Sequence, residues 1–279
     1  MPGDPREMKA AIQSVIKDLM DRVMQRVLFD DKFEIEKIHK TKPLYAALVP
    51  EEILKGAHFE RRFVTPFGGV WETLAVTAAQ FGLGFGAKGH SIFGAVRSER
   101  LARITEVLNA LEHPEKGKER QKPDWDTELT YVLEGGGEDV LLQIVCDVYA
   151  MDTTSGEKYA FELKAPLPNS DQSKVSKEKL LKLYSMEPPQ VTAAYYALPY
   201  NPYESRETYD WSFPARWFNM KTDKVVLIGD EFWEKIGGLG TYQTFIAAVN
   251  EIGPAYKKRI YEEYLGITPP NTLGQAKPE

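Results

Sequence analysis

The sequence predicts an α/β protein in which a mixed central β-sheet is flanked by helices, with additional helices at the N- and C-terminal ends. Residues 143–165 contain two apolar segments separated by a polar turn, and a lysine-rich helical segment follows. Further runs at 190–198 and 224–228 are rich in aromatic or β-branched residues, which favours strands. Apolar side chains recur every three to four residues near both ends of the chain, a spacing typical of amphipathic helices.

Composition and charge limit the function. The 279 residues are 43% hydrophobic and 27% charged, as in an ordinary globular protein. The formal net charge of -6 argues against a protein that simply coats nucleic acid, although a local basic cleft can still meet phosphate. No apolar run approaches the roughly 18 residues of a membrane span, and the N-terminus lacks a signal-peptide core, so we expect no membrane contact. A single cysteine excludes an internal disulfide, which fits a reducing cytoplasm.

The N-terminal part is predicted to be mainly helical. Helices are predicted over 6–28, 69–82 and 98–111. Residues 58–68 are predicted to form a basic loop. Residues 81–90 are predicted to form a flexible glycine-rich loop or turn, because they have no preceding strand and no G-K-[ST] sequence of a phosphate-binding loop.

Three side chains near the predicted basic loop are functional candidates. Glu72 falls in the first turn of the predicted helix, where it is either an acid stabilised by the helix dipole or an auxiliary catalytic acid near a metal. Arg61 and Arg62 lie in an otherwise apolar stretch, either solvated or in contact with phosphate. We favour phosphate contact.

A charged linker over 113–127 is predicted to precede the central strands. Residues 129–133 are predicted to form a strand, and a glycine turn leads into a second, apolar strand that contains one acid, Asp147. A lone buried acid requires a physical reason. The single cysteine, Cys146, is predicted to be a small buried hydrophobe rather than a nucleophile.

The polar turn at 152–156 determines how the two strands around it pair. A turn centred on its third and fourth residues places Asp147 opposite Glu162, with Cβ atoms roughly 4.5–5.5 Å apart. Lys164 shares the face of Glu162, because side chains alternate along a strand. Two carboxylates this close repel each other unless a positive charge lies between them, and hard oxygen ligands suit Mg²⁺.

Two carboxylates and a lysine around one cation form a site for phosphodiester hydrolysis. Asp147 and Glu162 are the predicted metal ligands, with the main-chain carbonyl of Leu163 as a third. Lys164 is predicted to hold the attacking water or to offset charge on the phosphorane. The alternative first acid, Asp124, follows a proline but lies in the polar linker, so we choose Asp147, which is in register on the adjacent strand.

The lysine-rich helix after this hairpin either has a solvated face or meets phosphate. We favour phosphate contact, with Lys174 and Lys177 as the contacting residues. The C-terminal part is predicted to contain two strands, three helices and a loose tail. These are strands over 190–198 and 224–228, helices over 230–236 and 241–252, a last helix ending near Leu265 after Gly253-Pro254, and a tail from Thr268.

Several blocks of sequence resemble the TdeIII-like type II restriction endonucleases, whose site is of the PD-(D/E)xK kind. The blocks are R-F-x-T-x-x-G-x-x-x-E (62–72), C-D-x-Y (146–149), F-E-L-K-x-P-x-P-N-x-D-Q (161–172), Y-Y-x-x-x-Y-N-P (195–202) and I-G-x-E-F-W-x-x-I-G-G (228–238). They lie within residues 58–253, and those from Glu162 onward are the more specific.

The resemblance implies a restriction-endonuclease-like core and Mg²⁺-dependent cleavage of double-stranded DNA at a short palindromic, GGNCC-like site, leaving 5′-phosphate and 3′-hydroxyl ends. It also implies a prokaryotic cytoplasm, a homodimer, and a cognate DNA methyltransferase in the host with which no direct contact is required. Asn169, Gln172 and Lys174 are the predicted base or backbone contacts, because amide and ammonium groups suit them.

We therefore expect one nuclease domain over 1–279, with an N-terminal helical region at 1–60, a catalytic core at 61–253, and a C-terminal helix and loose tail at 254–279. Two alternatives remain. One is a structure-selective or repair nuclease with the same metal site. The other is a non-catalytic DNA-binding protein in which the two acids and the lysine form only a buried ion-pair cluster.

Overall fold

The computed structural model describes residues 4–113 and 120–270. In this part of the chain six strands form one mixed sheet with the order β4-β1-β2-β3-β5-β6. The strands are β1 (Gly84–Arg97), β2 (Asp139–Asp152), β3 (Lys158–Leu163), β4 (Met186–Glu187), β5 (Ala193–Leu198) and β6 (Val226–Ile228). Helices pack against the sheet, so the predicted α/β class with a mixed sheet is confirmed.

The helices precede, connect and follow these strands. They are α1 (Pro5–Gln25), α2 (Ile35–Thr41), α3 (Pro43–Leu48), α4 (Glu51–Val64), α5 (Phe67–Gly82), α6 (Ser98–Glu112), α7 (Trp125–Leu133), α8 (Ser170–Tyr184), α9 (Asp230–Gly237) and α10 (Thr241–Arg259). Short π-helical segments extend α1 over Arg26–Asp30 and α10 over Ile260–Leu265. None of the described helices is long and apolar enough to cross a membrane.

The described residues form two compact units. The first contains residues 75–242 and therefore the whole sheet, and the second contains residues 5–74 together with the C-terminal part from 243. The predicted site hairpin and the lysine-rich helix lie in the first unit, whereas Glu72, Arg61 and Arg62 lie in the second. The expectation that 1–279 is a single nuclease domain stays a prediction.

Pairing in the sheet follows the predicted hairpin register. β1 and β2 are antiparallel, as are β2 and β3, with Val148 opposite Phe161 and Ala150 opposite Tyr159. This is the register expected from the turn at 152–156. β5 lies parallel to β3 because α8 forms the crossover between them, and β6 continues the parallel part.

A hydrophobic core between the sheet and the helices of the first unit fixes the position of this hairpin. Ile144 and Cys146 of β2 and Leu180 and Leu183 of α8 are buried in one cluster with Tyr196 of β5. Cys146 is a buried free cysteine, as expected, and burial raises the pKa of its thiol to about 12. The thiol is therefore a packing group at neutral pH.

The predicted glycine-rich loop at 81–90 is wrong, because most of it belongs to β1. Local sequence favoured a loop, but pairing with β2 along the whole strand outweighs the low strand propensity of glycine. Gly86 has a specific packing role. A Cβ atom there would lie 2.8 Å from the Cβ of Ala79 in α5, so only glycine allows this approach.

The predicted strand at 129–133 is also wrong, since these residues end helix α7. Asp124 caps this helix, its side chain accepting a hydrogen bond of 3.0 Å from the backbone N–H of Thr127. Trp125, Glu128 and Val132 are buried at helical spacing. The proline-aspartate pair that a motif search would select therefore starts a helix.

Two further boundaries differ from expectation. Residues 58–64 belong to α4 rather than to a loop, so Arg61 and Arg62 occupy its last turn, where basic side chains complement the helix dipole. Gly253-Pro254 does not divide the last helix, because α10 continues through it to Arg259. Ile252 and Tyr256, on either side of the proline, line the same apolar cavity, which favours continuation. The predicted tail from Thr268 lies mostly outside the described residues.

Candidate active site

The site forms where the β2–β3 pairing ends. Val148 and Phe161 are the last paired residues there, and Asp147 and Glu162 come next on the two strands. Lys164 follows the end of β3. Its backbone N–H donates a hydrogen bond of 3.0 Å to the carbonyl of Ala197 in β5, which holds the chain against the neighbouring strand beyond the last regular residue. The carboxylates thus lie on a backbone fixed from both sides.

The three side chains of the predicted hairpin site converge. The ammonium Nζ of Lys164 donates hydrogen bonds to Oδ2 of Asp147 at 2.6 Å and to Oε2 of Glu162 at 3.3 Å. The backbone N–H of Leu163 donates to the same Oδ2 at 2.9 Å. The second oxygen of Asp147 is outside these contacts. The Asp147 side chain keeps 23% of its surface exposed, whereas Glu162 is 1% exposed.

A second lysine, Lys179 of α8, belongs to the cluster and is not among the predicted site residues. Its Nζ donates hydrogen bonds of 2.8 Å to Oε1 of Glu162 and 2.8 Å to the carbonyl of Val145 in β2. Both oxygens of Glu162 therefore accept from an ammonium. The sequence alone gave no signal for this contact, because it depends on how α8 crosses back over the strands that carry the carboxylates.

Burial and charge act together at this cluster. Burial raises the pKa of Glu162, and the Asp147 charge adds to this, while Lys164 and Lys179 oppose it. Burial alone would lower the pKa of Lys164, but Glu162 and Asp147 outweigh burial and raise it. Lys164 is therefore a protonated hydrogen-bond donor rather than a general base at neutral pH.

The donor set fits a small hard cation. Mg²⁺ commonly binds through one or two carboxylates and completes its coordination with water and substrate phosphate. Asp147 and Glu162 supply the two carboxylates, and both already face a positive group, the Lys164 ammonium. Within residues 4–113 and 120–270 no three His, Cys, Asp or Glu side chains gather as a closed metal cage.

Asn169 and Gln172, predicted DNA contacts, start helix α8. The Asn169 side chain accepts a hydrogen bond of 2.8 Å from the backbone N–H of Gln172, and the Gln172 side chain accepts one of 3.3 Å from the backbone N–H of Asn169. This reciprocal capping box satisfies two backbone donors. It gives both amides a structural role, and DNA contact by either stays a prediction.

The prediction that Lys177 of the lysine-rich helix contacts DNA phosphate is wrong. Its side chain is fully buried, forms an ion pair with the buried Glu128 of α7, and donates to the carbonyl of Trp217. Burial lowers the pKa of Lys177 and raises that of Glu128, while each partner's charge opposes the shift of the other. Because its ammonium is enclosed, Lys177 does not reach DNA. Lys174 is partly exposed and forms an ion pair with Glu112 of α6.

Candidates in the second unit are placed as follows. Arg62 donates to Oδ2 of Asp31 at 2.6 and 2.9 Å, whereas the Arg61 side chain is exposed. The hydrogen bonds and the positive charge of Arg62 lower the pKa of Asp31. Glu72 lies beyond the first turn of α5, because that helix begins at Phe67 rather than Gly69. The first-turn interpretation of Glu72 is therefore wrong, and a catalytic role for it stays a prediction.

Comparison with known proteins gives one consistent result. A family model described as "Type II restriction endonuclease, HinfI" matches residues 8–253. The type II restriction enzyme HgiBI of Herpetosiphon aurantiacus is 26% identical over 277 residues, covering 95% of this chain and 98% of that enzyme. HgiEI of the same organism is 27% identical over 231 residues, covering 80% of this chain and 81% of the relative. The match extends through the hairpin, α8 and the C-terminal strands.

Proposed function

We propose that this chain, which belongs to the HinfI family of type II restriction endonucleases, cleaves double-stranded DNA at the Asp147–Glu162–Lys164 cluster with Mg²⁺ as cofactor. The observation that carries this proposal is the convergence of both carboxylates on the Lys164 ammonium. Family membership supports the broad class of site-specific nuclease. We further propose that the enzyme is TdeIII-like and that its active site is of the PD-(D/E)xK kind.

Each residue has a distinct role in the proposed reaction. Asp147, Glu162 and the carbonyl of Leu163 would hold the ion, which supplies Lewis-acid polarisation of the phosphate and a lower pKa for a water. Lys164, kept protonated by the carboxylates, donates hydrogen bonds that orient the attacking water or offset charge developing on the phosphate oxygens. The water oxygen bonds to phosphorus, the bond from phosphorus to the 3′ oxygen breaks, and the products are 5′-phosphate and 3′-hydroxyl ends.

The proposed substrate is a short palindrome, GGNCC-like, cut by a homodimer, because a two-fold protein matches a two-fold DNA site. A cognate methyltransferase would protect host DNA without touching the nuclease. Arg61, Asn169, Gln172 and Lys174 remain proposed DNA contacts. Of the two basic residues in this set, Arg61 is exposed, whereas Lys174 is partly buried and forms an ion pair with Glu112.

Plasmid digestion tests the proposed function. Purified protein with plasmid DNA and Mg²⁺ is expected to give discrete, reproducible fragments, and sequencing of their ends should return one short palindrome with 5′-phosphates. EDTA should stop the reaction. A smear, or cleavage only at junctions or damaged sites, would favour a structure-selective or repair nuclease. Unchanged DNA in every divalent ion tried would count against the site.

A further inference from the structure

Lys179 of α8 contacts the oxygen of the Glu162 carboxylate that Lys164 does not contact. Lys164 donates a hydrogen bond to Oε2 of Glu162 and Lys179 donates one to Oε1, so each oxygen of this carboxylate is bound by a different ammonium group. A carboxylate held at both oxygens has no freedom to rotate. Its orientation is fixed before any substrate arrives, which is the condition for an effective metal ligand.

Through a second hydrogen bond, Lys179 also binds the backbone of β2. Its Nζ also donates to the carbonyl of Val145, two residues before Asp147 on β2. Regular pairing of β2 with β3 covers 148–151 and 158–161, so the strands are no longer joined by a ladder at Val145 and Glu162. Lys179 connects Val145 of β2 to Glu162 of β3 beyond the last paired residues, beside the contacts that Leu163 and Lys164 make with Asp147.

We propose that Lys179 is a positioning residue that orients Glu162 and holds the opened β2–β3 end at the spacing the metal site requires. This inference rests on the proposed function. Lys179 acts through Glu162 rather than on the phosphate. Outer groups of this kind typically change metal affinity or activity by about 10- to 100-fold when removed.

A matched control lies on the same helix. Lys182 is a lysine of similar exposure, 26% against 28% for Lys179, and it pairs with Glu178 one turn away rather than with the site. Lys182→Met therefore removes the same side chain from the same helix without touching Glu162. Lys179→Arg keeps a charged donor and serves as the rescue variant.

The test uses single-turnover cleavage of plasmid DNA and, separately, calorimetric titration of Ca²⁺ into each protein without DNA. Lys179→Met is expected to lower the single-turnover rate at least about 10-fold and to weaken Ca²⁺ binding severalfold, with little change in the protein concentration needed for half-maximal DNA binding. Lys179→Arg should recover most of both losses, and Lys182→Met should behave as wild type.

The opposite results are equally informative. Removing a positive charge also removes repulsion of an incoming cation, so tighter Ca²⁺ binding by Lys179→Met would show that its charge, not its positioning, dominates. That result, or equality with Lys182→Met, overturns the inference. If Lys179→Met does not fold, Lys179→Gln carries the same comparison. Failure of the wild-type protein to cleave DNA refutes the proposed function instead, and the Ca²⁺ titration still decides the role of Lys179.

Discussion

Two lysines of α8, two residues apart, each hold a buried glutamate, yet their surroundings differ. Lys177 and Glu128 are both enclosed, with side chains 0% and 2% exposed, and the rings of Trp125 and Phe218 lie against the ammonium. Lys179 holds Glu162, which is equally buried, but the lysine itself is 28% exposed. The first pair is closed on all sides, whereas the second opens toward solvent.

The difference shows how to separate a structural ion pair from a candidate active site. Burial of a glutamate and an ammonium partner are common to both. Glu162 in addition shares its lysine, Lys164, with a second carboxylate that remains partly exposed, that of Asp147. A second acid and a route to solvent allow a cation and a phosphate to bind. Asp223 lies near enough to influence the charges of Glu128 and Lys177, but among the described residues Lys177 forms its ion pair with Glu128, and both side chains of this pair are enclosed. The Glu128–Lys177 pair is therefore assigned to stability.

The largest expected difference between the two lysines is in the unfolding free energy, which should fall most when Lys177 is replaced. Lys177→Met leaves Glu128 buried without its partner, which should cost about 3–5 kcal/mol of unfolding free energy. Chemical denaturation measures it. Lys179→Met should change the unfolding free energy by no more than about 1 kcal/mol, since Lys179 is 28% exposed and Glu162 keeps Lys164 as an ion-pair partner. Equal losses in the two variants would erase the distinction between them.

A smaller effect concerns Cys146, the residue before Asp147. Because burial raises the pKa of its thiol to about 12, its thiolate fraction at pH 8 should be about a thousandfold below that of a free thiol. A thiol reagent should label the native protein very slowly and the unfolded protein at once. The raised pKa also stabilises the fold below pH 9, and this contribution is lost as the pH rises toward 12. Rapid labelling of native protein would mean that β2 opens beside the site.

The hairpin was predictable because strand side chains alternate with a period of two and the turn at 152–156 is compact. Those two facts set the register, which the structure confirms, and brought Asp147 toward Glu162. The local sequence also favoured Asp147 over Asp124, and the structure places Asp124 at the start of α7.

Features that depend on distant packing were not predictable in the same way. β1 is a glycine-rich strand that exists because β2 pairs with its whole length and α5 approaches Gly86. The burial of Lys177 depends on Glu128, and the helix that carries Glu128 was expected to be the end of a linker followed by a strand over 129–133. Lys179 required knowing that the crossover from β3 to β5 returns α8 across the carboxylates. The sequence shows that these residues are present, but it does not show which of them lie close together in the fold.

We propose that Asp147, not Asp124, is the first acid of the metal-dependent nuclease site. The most direct measurement compares plasmid cleavage by Asp147→Asn and Asp124→Asn under identical Mg²⁺ conditions, since asparagine also caps a helix well and should leave α7 intact. We expect Asp147→Asn to lose at least about 10²–10³-fold in rate while remaining folded, and Asp124→Asn to cleave as wild type. Wild-type cleavage by Asp147→Asn, or loss of cleavage in folded Asp124→Asn, would rule out Asp147 as the first acid.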